Sequence, residues 1–154
     1  QEGQTRAMSL YYRGAILNRL GRPSEAIPNL DQSMAERPDL TSALEEKGEA
    51  LWQLGRRDEA VAVWGSAIER NGAQPVILTM LAGAALTLSK PETANELVSE
   101  ASKYIPADPR YHWMLGLRSK NLGMIDVADR HFAEALKLDP QFQIRLEWNS
   151  VEKR

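Results

Sequence analysis

A period of 34 residues runs through the chain, and it constrains the fold more than any other feature. Three columns follow it: alanine at Ala26, Ala60, Ala94 and Ala128, a large apolar residue at Leu30, Trp64, Val98 and Phe132, and a small residue at Gly14, Gly48, Ala82 and Gly116. Independent columns at one period indicate repeated copies of a single structural unit. We place four units at 7–40, 41–74, 75–108 and 109–142.

Each unit predicts two helices joined by a short polar link. Gly21 and Gly55 follow the first helix of their units and suit a left-handed C-cap. Ser24 and Asp58 are suitable N-caps for the second helix. The small residues let the two helices approach closely, and we expect the large apolar residue to fill the space toward the next unit. One such pair cannot bury its own apolar face, so neighbouring pairs must stack.

The repeated spacing of six positions carries a family resemblance; in the first unit they are Leu10, Gly14, Leu17, Ala26, Leu30 and Pro38. This pattern resembles the tetratricopeptide repeat over residues 7–142. The resemblance implies an all-α fold, a right-handed superhelical solenoid of antiparallel helix pairs, with residues 1–154 forming a single array. Residues 143–152 continue the register as the first helix of a fifth unit, which either caps the array or marks where a longer one was cut.

Composition and charge limit the classes of function. The chain has 154 residues and a formal charge of −2, whereas a nucleic-acid-binding surface needs a basic face. Cysteine is absent, which leaves no disulfides and no thiolate metal site. No apolar run approaches the roughly 18 residues of a membrane helix, so direct membrane insertion is not expected. The sequence does not begin with Met, and we expect a processed chain or a segment of a longer protein.

The resemblance implies that positions 2, 5, 9, 12 and 13, counted from the first residue of each unit, face a concave groove that binds peptides or helices. The candidate partner-binding residues there are Tyr11, Glu45, Glu49, Trp52, Leu86, Trp113, Leu117 and Lys120. Aromatic residues often anchor interfaces, although neighbouring helices could also cover Trp52 and Trp113. Glu45 and Glu49 are one helical turn apart and either accept a basic side chain or form a solvated face. The groove therefore predicts an apolar, optionally basic, partner segment.

Two binding modes of the family are not expected here. Its chaperone-binding members grip a C-terminal carboxylate with Lys and Asn, but the matching positions of unit one hold Tyr11 and Ala15. The glutamates of unit two would repel a carboxylate. Sugar-transferase members carry a ladder of asparagines, whereas the predicted groove contains only Asn18 and Asn121.

The sequence predicts no enzymatic activity, cofactor or metal site. It lacks the GxSxG, HExxH, P-loop and GxGxxG patterns. His131 and Glu134 are three residues apart and could share a metal ion, but a solvated helix face is the favoured interpretation. An enzyme is expected only as a catalytic domain outside this segment.

The leading hypothesis is a protein–protein interaction scaffold that binds a peptide or amphipathic helix in its concave groove, as part of a larger protein or assembly. One alternative is a self-assembling scaffold that forms homo-oligomers through the ends of the array. Another is a targeting or regulatory module of an enzyme. Bacterial arrays with this resemblance occur in the cytoplasm and in the periplasm, so both compartments stay open.

Overall fold

The structure is a computed structural model and describes residues 2–142. Within that range it contains eight helices and no strands: α1 (Glu2–Arg19), α2 (Pro23–Glu36), α3 (Thr41–Gln53), α4 (Arg57–Asn71), α5 (Pro75–Thr87), α6 (Pro91–Ser102), α7 (Pro109–Asn121) and α8 (Ile125–Leu138). The predicted all-α solenoid of helix pairs is confirmed. The helix predicted at 143–152 lies outside the described residues.

The helices pack as four consecutive pairs, α1 with α2 through α7 with α8. The first pairs also stack in order, because α2 packs against α3 and α4 against α5. Helix α1 begins at Glu2, ahead of residue 7, where the first unit was predicted to start. None of the described helices combines the length and hydropathy that crossing a membrane would require.

In three of the four pairs, a glycine of the first helix lies directly beneath a large side chain of the second helix, and we call this glycine its seat. A Cβ atom added at Gly48 would overlap the indole of Trp64, and the pairs Gly14–Leu30 and Gly116–Phe132 repeat this arrangement. The large residue was expected to fill the space toward the next unit, and Trp64 does belong to one core cluster with Ile77 and Met80 of the third unit. It also lies on the glycine of its own pair, a contact that was not predicted. The periodic glycine column is therefore explained by close packing within each pair.

The helix ends confirm one prediction and correct another. Gly21 and Gly55 take positive φ angles of 69° and 75° after the first helices, as a left-handed C-cap requires. The prediction of Ser24 and Asp58 as N-caps is wrong, because each is the second residue of its helix. An arginine–glutamate pair bridges the first turn instead: in α2 the guanidinium of Arg22 donates to both carboxylate oxygens of Glu25, at 2.7 and 2.6 Å.

The fourth pair departs from this regular stacking. Helix α6 barely touches α7, and a cleft of about 390 Å³ lies between α6 and the pair α7–α8. The fourth pair instead contacts α5 and reaches α3, two units earlier in the sequence. This placement brings side chains of units two and four together on the face formed by the first helices.

Candidate functional site

A cluster of buried charges lies between α3 and α7. The guanidinium of Arg118 donates from Nε to Oε1 of Glu49 at 2.6 Å and from Nη1 to Oε2 of Glu45 at 3.3 Å. Its Nη2 is 3.5 Å from Oε1 of Glu46 and also pairs with Glu49. Three carboxylates of one helix thus surround a single arginine of another, a contact that spans about 70 positions of sequence. We call these four residues the Arg118 cluster.

Burial and pairing have opposite effects on the charges in the Arg118 cluster. Burial raises the pKa of Glu49 to about 7, although the neighbouring Arg118 lowers it. Burial likewise raises the pKa of Glu45, again opposed by Arg118. For Arg118, burial disfavours the charged form, but the three carboxylates outweigh that effect and raise its pKa. Arg118 therefore stays protonated. It favours the ionised form of Glu45 and Glu49, whereas burial alone favours their neutral form.

A polar cavity of about 320 Å³ lies beside the Arg118 cluster, between α1, α3 and α7. Its lining residues are Asn18, Arg19, Gly21, Glu49, Gln53, Arg118 and Asn121. The side-chain amide of Asn18 donates to the backbone oxygen of Glu46 at 2.8 Å and to its Oε2 at 3.0 Å. The Asn18 amide oxygen is buried, and no described residue donates to it. Asn18 therefore lines the cavity and also holds α1 against α3, with one buried acceptor left unsatisfied.

Trp52 lies at the apolar edge of the Arg118 cluster. Its side chain is buried, with 6% of its surface exposed, and its Nε1 donates to the backbone oxygen of Leu122 at 2.9 Å. Nearby, the side chain of Met124 covers Gly83, where an added Cβ would overlap it. Residues that follow α7 therefore occupy part of the face that the sequence predicts as the binding groove.

The other predicted site residues differ in exposure. Tyr11 is half-buried beside the cluster, and burial together with Glu46 raises its pKa. Leu86 packs at the edge of the core, and Trp113 lies against the rings of Phe132 and Phe142. Leu117 and Lys120 are exposed on α7. The structure thus gathers Tyr11, Glu45, Glu49 and Trp52 in one region, whereas Trp113 packs on other aromatic residues and Leu117 and Lys120 are exposed on α7.

The two histidines lie side by side as a partly buried pair. The Nδ1 atoms of His112 and His131 are 3.1 Å apart, so one ring donates and the other accepts. The prediction that His131 lies on a solvated face is wrong, because only 8% of its surface is exposed. Burial, and then the neighbouring His112, lower the pKa of His131 to about 4. In the part of the chain that the structure describes, no three His, Cys, Asp or Glu side chains are grouped to hold a metal ion.

Sequence reasoning missed Arg118 and Glu46, although a signal was available for both. Arg118 stands at a repeat position that holds the buried Ala50 and Ala84 in units two and three. Glu46 stands in a column with Met80, which is also buried. A positive and a negative residue that each interrupt an apolar column are candidates for pairing with one another.

Comparison with known proteins places the chain among helical repeats. A tetratricopeptide repeat family model matches residues 16–75 and again 45–109, which together exceed half of the chain. Among curated proteins, none matches the sequence significantly.

Several solved structures resemble the fold. MamA, residue 41 to its end, from Desulfovibrio magneticus RS-1 is 21% identical with a TM-score of 0.61, over 88% of this chain and 77% of that one. YrrB, described as a TPR protein with an unusual peptide-binding site, is 19% identical with a TM-score of 0.59, over 88% and 70% of the two chains. The Cut9–Hcn1 hetero-tetramer of the APC/C matches at 22% identity and a TM-score of 0.64, over 86% of this chain but 25% of its own.

Proposed function

The chain belongs to the tetratricopeptide repeat family, and on that premise we propose that it is a protein-interaction scaffold whose first-helix face binds a polypeptide segment of a partner. The observation that supports this most is the polar cavity beside the Arg118 cluster, which is lined in part by Asn18, Gln53 and Asn121. Side-chain amides can both donate and accept hydrogen bonds, so they suit the backbone of a bound segment.

The border of the cavity favours a segment that is partly apolar. Leu117 is exposed to 46% on α7, and the half-buried Tyr11 lies on the α1 side. Such side chains gain free energy when a partner covers them, and aromatic groups lose few rotamers on binding. The peptide-binding site in the description of YrrB belongs to a protein of the same fold and is consistent with this use of the fold.

We expect a partner to contact the exposed part of this face in the cell. A photo-reactive benzoylphenylalanine at position 117 should crosslink the chain to a partner protein on irradiation of the host cells, because Leu117 points away from the core. The matched control places the same group at position 69, which is exposed on the second helix α4. Crosslinked species are separated by electrophoresis and identified by mass spectrometry. Equal crosslinking from both positions, or none from position 117, would contradict the proposed face.

Assembly with a second copy is the alternative that a specific observation favours. Tyr12, Ile16 and Leu20 are exposed to 56%, 57% and 63% and recur every four residues, the first two on α1 and Leu20 directly after its end. Residues at this spacing share one helix face, so they form an apolar stripe at the end of the array. A second copy could cover the stripe.

We expect Ile16→Glu to abolish any self-association of this kind, because it places a charge in the centre of the stripe. Light scattering on concentrated protein is the measurement. The unaltered chain should show a mass well above the 17.2 kDa monomer, and the variant should return to it. A monomer in both samples excludes this alternative.

A further inference from the structure

The fourth helix pair occupies the groove face as a ligand would. Arg118 supplies a cation to the three carboxylates of α3. The backbone oxygen of Leu122 accepts the Trp52 indole N–H, and the Leu122 side chain is buried in the same core. Met124 then covers Gly83 of α5. A charged group, a backbone acceptor and two apolar side chains are the contacts that peptide-binding grooves use.

The same pair is weakly fixed on its other side. Helices α2 and α4 each pack on the next first helix, but α6 leaves the cleft of about 390 Å³ where α7 would stack. The link before α7 spans 103–108, longer than the links 37–40 and 72–74 at the equivalent points. The fourth pair therefore has both space and chain length to move away from α3.

The closed arrangement also leaves buried polar groups unsatisfied. No described residue bonds the hydroxyl of Ser119 on α7 or the amide oxygen of Asn18 on α1. Across the cleft, the hydroxyl of Thr79 is buried without a partner as well. In a buried ion pair, the cost of removing the charges from water offsets much of their attraction. Opening would hydrate the charges and the unsatisfied groups, which offsets part of the free energy gained by burying Leu122 and Met124 in the core.

We propose that the fourth helix pair is an internal, displaceable ligand of the groove, and that its site accepts a partner segment carrying an arginine followed by apolar residues at the spacing of Arg118, Leu122 and Met124. This rests on the proposed function, since it names the class of segment that the groove binds. The three glutamates of α3 select the arginine, and the Trp52–Leu122 contact marks where the following apolar residue lies. A partner must outcompete Arg118, so its apparent affinity is its intrinsic affinity multiplied by the fraction of open molecules.

The test uses the full chain and a fluorescein-labelled peptide that copies residues 113–127, followed by fluorescence anisotropy. Arg118→Gln should bind this peptide about tenfold more tightly than the unaltered chain, since loss of charge-assisted hydrogen bonds weakens the internal competitor. Arg118→Lys should fall between them, because a lysine cannot bridge three carboxylates in the same way. Arg70→Gln is the matched control, an exposed arginine on α4, and should behave as the unaltered chain.

Recognition of the arginine is tested with a second peptide in which glutamine replaces it. This peptide should bind Arg118→Gln at least about tenfold more weakly than the parent peptide. Circular dichroism checks that each variant is folded. If Arg118→Gln does not fold, the comparison of Arg118→Lys with the unaltered chain decides the outcome. Equal affinity of the folded Arg118 variants and the unaltered chain overturns the internal ligand.

The outcome is separable from that of the proposed function. Crosslinking at position 117 without any affinity gain in the Arg118 variants removes the internal ligand and leaves the scaffold function. An affinity gain without crosslinking in cells removes the proposed partner face around Leu117 and leaves the binding site beneath the fourth pair. Both effects together support the two proposals.

Discussion

Trp64→Ala is expected to lower the free energy of unfolding by about 4 kcal/mol, the cost of removing a large aromatic side chain from a core. Trp64 is fully buried on its glycine seat, its ring centre is 6.0 Å from that of Trp52, and its Nε1 donates to the backbone oxygen of Glu45 at 3.2 Å. Alanine would leave a cavity against Gly48, and the seat cannot collapse because it is backbone. Urea unfolding followed by far-UV circular dichroism measures the change.

The matched comparison is Trp113→Ala in the fourth pair. Trp113 is half-buried and contacts Phe132 and Phe142 from the side, at ring-centre distances of 4.8 and 5.7 Å. Less of its surface is removed from water, so we expect a loss of about 1–2 kcal/mol. Equal losses of unfolding free energy for the two tryptophans would show that the contact with Gly48 does not make Trp64 more important for stability than Trp113.

The helix pairs could be predicted from the sequence because each depends on neighbouring residues. The column of glycines and the column of large residues recur at the same period, because the glycine of a pair must make room for the large side chain of that pair, as Gly48 does for Trp64. The contact between each large residue and the glycine of its own pair was not predicted, because a column of similar residues does not show which other column it touches. The N-caps were misjudged too, because the Arg22–Glu25 pair bridges the first turn without a Ser or Asp side-chain cap.

The Arg118 cluster could not be predicted with the same rules. Repeat reasoning treats each unit as a neighbour of the next, whereas Arg118 reaches from unit four to Glu49 in unit two. The assignment of helix faces placed Glu45, Glu49 and Trp52 on the first-helix surface, but it contains no information on the angle of the fourth pair. The fourth pair sits differently because α6 and α7 do not stack as α2 and α3 do. This is a tertiary property, and the repeated positions of the sequence do not predict it.

Arg118→Gln is expected to lower the free energy of unfolding by about 3 kcal/mol at pH 8, because it leaves buried carboxylates without a cation. The loss should become clearly smaller at pH 5. Glu49 has a folded-state pKa raised to about 7 from an ordinary 4.5, so its contribution to stability is present below 4.5 and is lost as the pH rises through 7. Arg118 opposes the rise in the pKa of both Glu45 and Glu49, and its removal enlarges the loss at high pH.

The difference between the two proteins must be measured, because another group titrates with the opposite sign. His131 has a pKa lowered to about 4, so its contribution is present above 6.5 and is lost as the pH falls toward 4. Both the unaltered chain and Arg118→Gln retain His131, and its effect cancels when their unfolding curves are subtracted at each pH. Arg70→Gln supplies the baseline for loss of an exposed arginine. A penalty that stays constant from pH 8 to pH 5 would mean that Arg118 acts through packing, and charge recognition by the three glutamates would lose its physical basis.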